Sequence, residues 1–126
     1  MTSAGVWAGL AGAGAVGAPV RYLLDGYIEE RVQGVFPWGT FAVNVSGSLL
    51  LGLITGLALY HAFPDTPRVI LGTGFCGAYT TFSTFSYDTV RLGQEDAWAE
   101  AVLNVAAGLV LSVAAAAAGL AIAAAL

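Results

Sequence analysis

The sequence predicts an all-α membrane protein: one domain of four transmembrane helices, the third broken near its middle. Three observations lead there. The 126-residue chain is 58% hydrophobic and 10% charged, with four arginines and no lysine, too little charge to cover a soluble domain. Apolar stretches of about 20 residues recur, each long enough to cross a hydrocarbon core of roughly 30 Å. They run roughly 7–24, 38–63, 69–87 and 98–126, a multi-pass arrangement suited to the cell membrane. The third stretch carries Gly72, Gly74 and Gly77, then Thr80, Thr81, Ser83, Thr84 and Ser86, five hydroxyls within seven positions of an otherwise apolar chain.

Span one is rich in Gly and Ala, and Gly5 and Gly9 form a small-xxx-small pair of the kind that lets helix backbones approach in lipid. The N-terminus lacks a positive leader and three spans follow, so this span reads as retained rather than cleaved. Pro19 lies within it, and a membrane bundle can re-satisfy the carbonyl it frees. Arg21 follows near the helix end. It either snorkels to water or faces a water-filled vestibule, where it would concentrate anions. Residues 25–37 read as a charged loop with a short amphipathic piece at the interface and no site chemistry.

Span two starts at Pro37, Trp38 and Gly39, a suitable first turn and headgroup anchor. Thr40, Asn44, Ser48 and Thr55 fall on one helical face. Asn44 is the costly member, because an unpaired amide in hydrocarbon loses several kcal/mol. It serves either as glue between helices or as a pathway NH₂ donor. Gly52 and Gly56 form a GxxxG pair read as packing. The Pro-bounded turn that follows holds His61, the only histidine, which reads as interfacial.

In span three, a helix puts Phe82 and Phe85 on one face, whereas a strand would split them. The glycines favour a break near Gly74–Thr81. Backbone freed at membrane depth must be buried in protein, line water or bind ions. Span four opens near Trp98, with Asp96 or a neighbour as cap. Its polar residues, Asn104 and Ser112, form one stripe with Gly108 between them. Trp7, Tyr22, Trp38, Tyr60, Tyr87 and Trp98 near helix ends suggest two aromatic belts.

The chemistry this pattern permits is narrow. No Ser-His-Asp grouping, metal-ligand spacing or phosphate loop is present, so the chain does not read as an enzyme. Cys76 is alone and reads as packing. Four scattered arginines offer no basic patch for nucleic acid. No carboxylate lies deep in a span, which argues against a proton-coupled pump. The spans instead offer hydrogen-bond donors, which suit a dehydrated anion, and phenyl edges, the positive rim of the ring quadrupole. Carbonyls freed at the break suit a cation. Arg31 and Arg91 lie in the first and third loops and Arg68 in the second, so the bias for one orientation is slight. Four short spans enclose a path poorly, so a dimer is expected.

Three motifs then carry a family resemblance: G-A-V-G-A-P-V-R-Y at Gly14–Tyr22, W-G-T-F-A-V-N-V-S-G-S at Trp38–Ser48, and G-F-C-G-A-Y-T-T-F-S-T-F at Gly74–Phe85. With them, and over its whole length, the chain resembles the CrcB/Fluc fluoride-channel family. The resemblance implies an antiparallel, dual-topology homodimer in the lipid bilayer. It implies passive fluoride export that relieves fluoride toxicity, and a structural sodium ion at the dimer interface. It would assign the sodium to the backbone carbonyls of Gly77 and Thr80. Phe82 and Phe85 would supply ring edges and Asn44 an amide. Thr40, Ser83, Thr84 and Ser112 would be polar wall, with Arg21 in the vestibule. Ala78, Tyr79 and Gly108 depart from the usual family pattern, and Gly108 leaves the contribution of span four open. Two rival readings are a small dual-topology secondary transporter, which would want a central Glu that span one lacks, and a non-transporting accessory membrane protein.

Overall fold

A computed structural model describes residues 2–126. The regular elements among the described residues are all helices, without strands. The elements are α1 (Ser3–Arg31), α2 (Trp38–Tyr60), α3 (Asp65–Val69), a π-helical stretch (Ile70–Cys76), α4 (Gly77–Tyr79), α5 (Phe82–Gln94) and α6 (Trp98–Ala125). Three helices, α1, α2 and α6, are each long and apolar enough to cross a membrane. Most of their apolar side chains face outward rather than into a core, as a bilayer solvent allows. The protein is a multi-pass membrane protein.

Helix α1 starts at a Thr2 cap, whose Oγ1 accepts from the Gly5 N–H at 3.2 Å. It passes through Pro19 without ending. It also continues beyond Leu24, where a loop is expected, to Arg31. Nothing between Asp25 and Arg31 forces a turn, and Arg31 stacks on Tyr27 one turn back, 3.6 Å from the ring centroid. The connection to α2 is therefore only Val32–Pro37, with Gly34 at φ 111° making its turn. The acidic end of α1 also serves α2. Glu29 accepts from the Gly39 N–H at 3.0 Å, placing a carboxylate on the positive end of the α2 dipole. Asp25 presses so closely on Gly39 that no side chain fits there.

Helices α2 and α6 run parallel and share a seam of small residues. A Cβ on Gly52 would collide with the Ala116 carbonyl, one on Gly119 with Leu49 O, and one on Gly56 would stand 2.6 Å from Ala123 Cβ. The pair is thus held at backbone contact by the GxxxG residues read as packing. His61 closes the C-terminal end of the seam, with Nε2 2.7 Å from Ala123 O, which also accepts from the Leu126 N–H at 3.3 Å. Asp96 does not cap α6. It takes φ 60° in the tight turn before it, and the cap position falls to Ala97, which makes no side-chain cap bond.

The small face of α1 packs on the π-helical stretch. Gly9 meets Ile70, Gly17 meets Phe75 O, and a Cβ on Gly74 would lie 2.9 Å from Ala13 Cβ. Here Gly77 N–H reaches Gly72 O, the five-residue bond of a wide turn. Bare glycine at 74 leaves room for it against Leu10 and Ala13, and Gly72 faces Leu51 of α2.

Candidate functional site

Between Gly74 and Thr81 the chain departs from a helix only at its last two residues. Thr80 has φ −80° and ψ 159°, and Thr81 has φ −147° and ψ 121°, both extended. The glycines upstream stay helical: Gly74 serves close packing on α1, and a side chain on Gly77 would meet nothing within 4 Å. Gly47 makes space for the bend, since a side chain there would meet the Thr80 methyl and stand 3.1 Å from the Tyr79 ring. On the near side, Thr80 folds back on the helix it leaves: its N–H and Oγ1 both donate to Cys76 O, at 2.9 and 2.8 Å. On the far side, Thr81 Oγ1 accepts from the Thr84 N–H at 3.1 Å and so caps α5.

Asn44 completes the bend. Its Oδ1 accepts from the Thr81 N–H at 2.8 Å and its Nδ2 donates to Thr81 O at 2.9 Å. This two-pronged pair satisfies both backbone groups of Thr81 and fixes which end of the amide is which. The two roles read for Asn44, glue and donor, meet in one side chain, because the second Nδ2 hydrogen is not used by Thr81.

Two cavities flank this pair. A groove of about 250 Å³ lies on one side, lined by Asn44, Ser48, Thr80, Thr81, Phe82, Phe85, Asn104, Gly108 and Ser112 with apolar neighbours. The rings of Phe82 and Phe85 are tilted by 40° with centroids 5.8 Å apart. Phe85 is half-buried, whereas Phe82 is 76% exposed. No basic side chain lines the groove. A smaller cavity of about 160 Å³ lies on the other side, lined by Arg21, Tyr22, Asp25, Thr40, Val43, Thr81 and Thr84. Thr81 belongs to both, so the bend is the partition between them. The N-terminus of α5, with its orphan amides and positive dipole end, meets the same partition.

The predicted residues thus sort into levels. Asn44, Phe82, Phe85, Ser112 and Thr80 line the groove, and Arg21, Thr40 and Thr84 the smaller cavity. Ser83 is exposed and lines neither. Gly77 is exposed and also lines neither; a Cβ there would meet nothing within 4 Å. Thr55 turns back on its own helix, donating to Leu51 O at 2.8 Å.

Sequence reasoning missed Asp88 and Thr89. Asp88, nearly buried, accepts from Thr40 Oγ1 at 3.0 Å and pairs with Arg91 at 3.7 Å. Its signal was available, since Asp88 follows Thr84 by four on one face of α5. Thr89 accepts from Asn104 Nδ2 at 2.9 Å and donates to Phe85 O at the same distance. Asn104 is 1% exposed, so it acts as a buried tie between α5 and α6 as well as a groove residue.

The Gly77 and Thr80 carbonyls can be tested as cation ligands. The N–H that would close a helical bond onto Gly77 O belongs to Thr81, and Asn44 has taken it. Neither carbonyl has a hydrogen-bond partner among the described residues. Two carbonyl oxygens without partners suit a hard monovalent cation, with further oxygens still needed to complete its shell.

A family model described as CrcB-like protein, Camphor Resistance (CrcB), matches residues 8–120. The chain belongs to the CrcB-like family. The matched CrcB-like region includes every residue that lines either cavity, from Arg21 to Ser112. Similar curated CrcB-like relatives carry the names of ion channels. Fluoride-specific ion channel FluC 1 of Streptomyces avermitilis is 52% identical over 98 residues, 75% of this chain and 79% of the relative. FluC 1 of Frankia casuarinae is 49% identical over 119 residues, 90% of this chain and 92% of the relative. FluC 2 of Mycobacterium tuberculosis is 41% identical over 111 residues, 88% and 85% respectively.

Proposed function

We propose that this chain is a fluoride-selective channel giving passive export of fluoride across the cell membrane, and so relief from fluoride toxicity. The observation that carries the reading is the groove itself. The Phe82 and Phe85 rings, the Asn44 amide and the Ser112 hydroxyl converge on one space without a basic side chain. Fluoride holds its water at a cost of order tens of kcal/mol by Born reasoning, so it must be passed between donors rather than stripped at once. Ring edges, an amide and hydroxyls in series attract the ion without a full counter-charge, and so let it leave. Arg21 in the smaller cavity draws anions to the mouth, and the α5 N-terminus adds its positive dipole end at the partition. The names of the relatives supply the identity of the ion.

Asp65–Gln94 reads as the third of four crossings, a helix broken at Thr80–Thr81. The working unit is an antiparallel, dual-topology homodimer. Phe82 at 76% exposure and a groove open on one side support that reading, because a second copy supplies the missing wall. The near-balance of Arg31 and Arg91 against Arg68 lets the chain insert both ways up. A sodium ion at the interface is held by Gly77 and Thr80 carbonyls. When bound it supplies a fixed positive charge near the break and pins it.

The decisive experiment reconstitutes purified protein in liposomes loaded with fluoride or chloride and follows release with ion-selective electrodes. Fluoride is released and chloride is not. Equal release of both, or none of either, overturns the reading in favour of a transporter or an accessory membrane protein.

A further inference from the structure

Gly108 faces the Phe85 ring from the middle of α6. A Cβ there would stand 2.9 Å from Phe85 Cε2 and 3.6 Å from Cδ2. Carbon atoms pack at about 3.5–4.0 Å, so the lateral edge of the ring rests against bare backbone. Glycine is a poor helix former and needs a reason mid-helix. The other glycine of α6, Gly119, has one in the backbone of α2; the three nearest atoms to a Cβ on Gly108 are all in the Phe85 ring. The ring has little freedom to retreat. Phe85 O accepts from Thr89, and Thr89 accepts from Asn104, one turn before Gly108 on α6. The backbone of Phe85 is therefore tied to the helix that Gly108 belongs to, and the Phe82 ring lies on it 5.8 Å away.

We propose that Gly108 is a positioning residue for the anion path: its missing side chain sets where the Phe85 ring edge stands, and the size of residue 108 tunes passage. This rests on reading the groove as the fluoride path. It adds a determinant that makes no polar contact of its own.

The test compares Gly108→Ala with Gly12→Ala, a site where an added Cβ meets nothing within 4 Å. Each protein is assayed for fluoride release from liposomes and for thermal stability. Each also carries 4-fluorophenylalanine at position 85 for ¹⁹F NMR. Gly108→Ala slows fluoride release by about two- to tenfold, the effect of a ring pushed off its rotamer. Its stability holds or rises, since alanine is the better helix former. Its ¹⁹F resonance moves, while Gly12→Ala changes neither rate nor resonance. An unchanged resonance or a wild-type rate in Gly108→Ala overturns the inference. A fall in stability in step with the rate also overturns it, making Gly108 a packing residue. A wild-type protein that releases no fluoride sinks the channel reading instead, and the resonance then decides the contact separately.

Discussion

Replacing Asn44 with alanine removes the pair that holds the bend. Both groups of the Thr81 peptide, now bonded at 2.8 and 2.9 Å, lose their partners. A buried group left unpaired costs about 1–3 kcal/mol. Thr81 is half-buried beside a groove that water enters, so the lower end applies and the two groups together cost about 2 kcal/mol. For a chain of this size that is a fall in melting temperature of roughly 6–12 °C. Asn44→Asp separates the bend from the path. It keeps an acceptor for the Thr81 N–H, loses the donor to Thr81 O, and puts a negative charge where the anion passes. At about 4 Å and an effective dielectric of about 20, that charge opposes a fluoride ion by about 4 kcal/mol, roughly a thousandfold in rate. Thermal unfolding of the detergent-solubilised protein and fluoride release from liposomes measure the two effects. An Asn44→Ala protein as stable as wild type refutes the claim that this side chain holds the bend. An Asn44→Asp protein that conducts normally shows that the anion does not pass it.

Three further outcomes follow from the same geometry. Phe82→Ala and Phe85→Ala lower fluoride release by tenfold or more, about 1.4 kcal/mol on the barrier. Their yield of monodisperse protein falls far less, and equal loss of both in each variant would return the rings to a packing role. Gly52→Leu forces α2 off the Ala116 backbone and removes most folded protein, seen as loss of the monodisperse peak in size-exclusion chromatography; a normal peak would show that the seam tolerates separation. Replacing sodium with a bulky organic cation throughout purification and assay slows fluoride release, and readdition restores it, whereas an indifferent rate would rule against a cation on Gly77 and Thr80.

Much of this was legible in the residues because membrane helices write their constraints in composition. The all-helical class follows from apolar length, and a packing role for Gly52 and Gly56 from their spacing. Phe82 and Phe85 were placed together by a helical period. What was not legible depends on partners distant in the chain. Asn44 showed as a polar cost on one face, but only the fold reveals that Thr81 consumes its amide. Asp88 gains its Thr40 partner only when α2 packs beside α5. The glycines before Thr80 suggested a gap in the helix. Gly74 marks instead where α1 leans on the backbone, and Gly72 where Leu51 of α2 does, contacts no local pattern announces. The acidic loop after Leu24 proved to be helix, since charge alone does not end a helix where nothing breaks it.

The wide turn at Ile70–Cys76 has a consequence for phase. A helix advances about 100° per residue, so each residue taken up in a five-residue bond rather than a four-residue one rotates everything after it. That rotation, taken up against α1, feeds into the bend at which Thr80 meets Gly47 and Thr81 meets Asn44. The polar groups of the path thus take part of their aim from upstream backbone, to which Thr80 is tied through Cys76 O. The tolerance of residues 70–76 to a one-residue insertion or deletion measures how closely that aim is set.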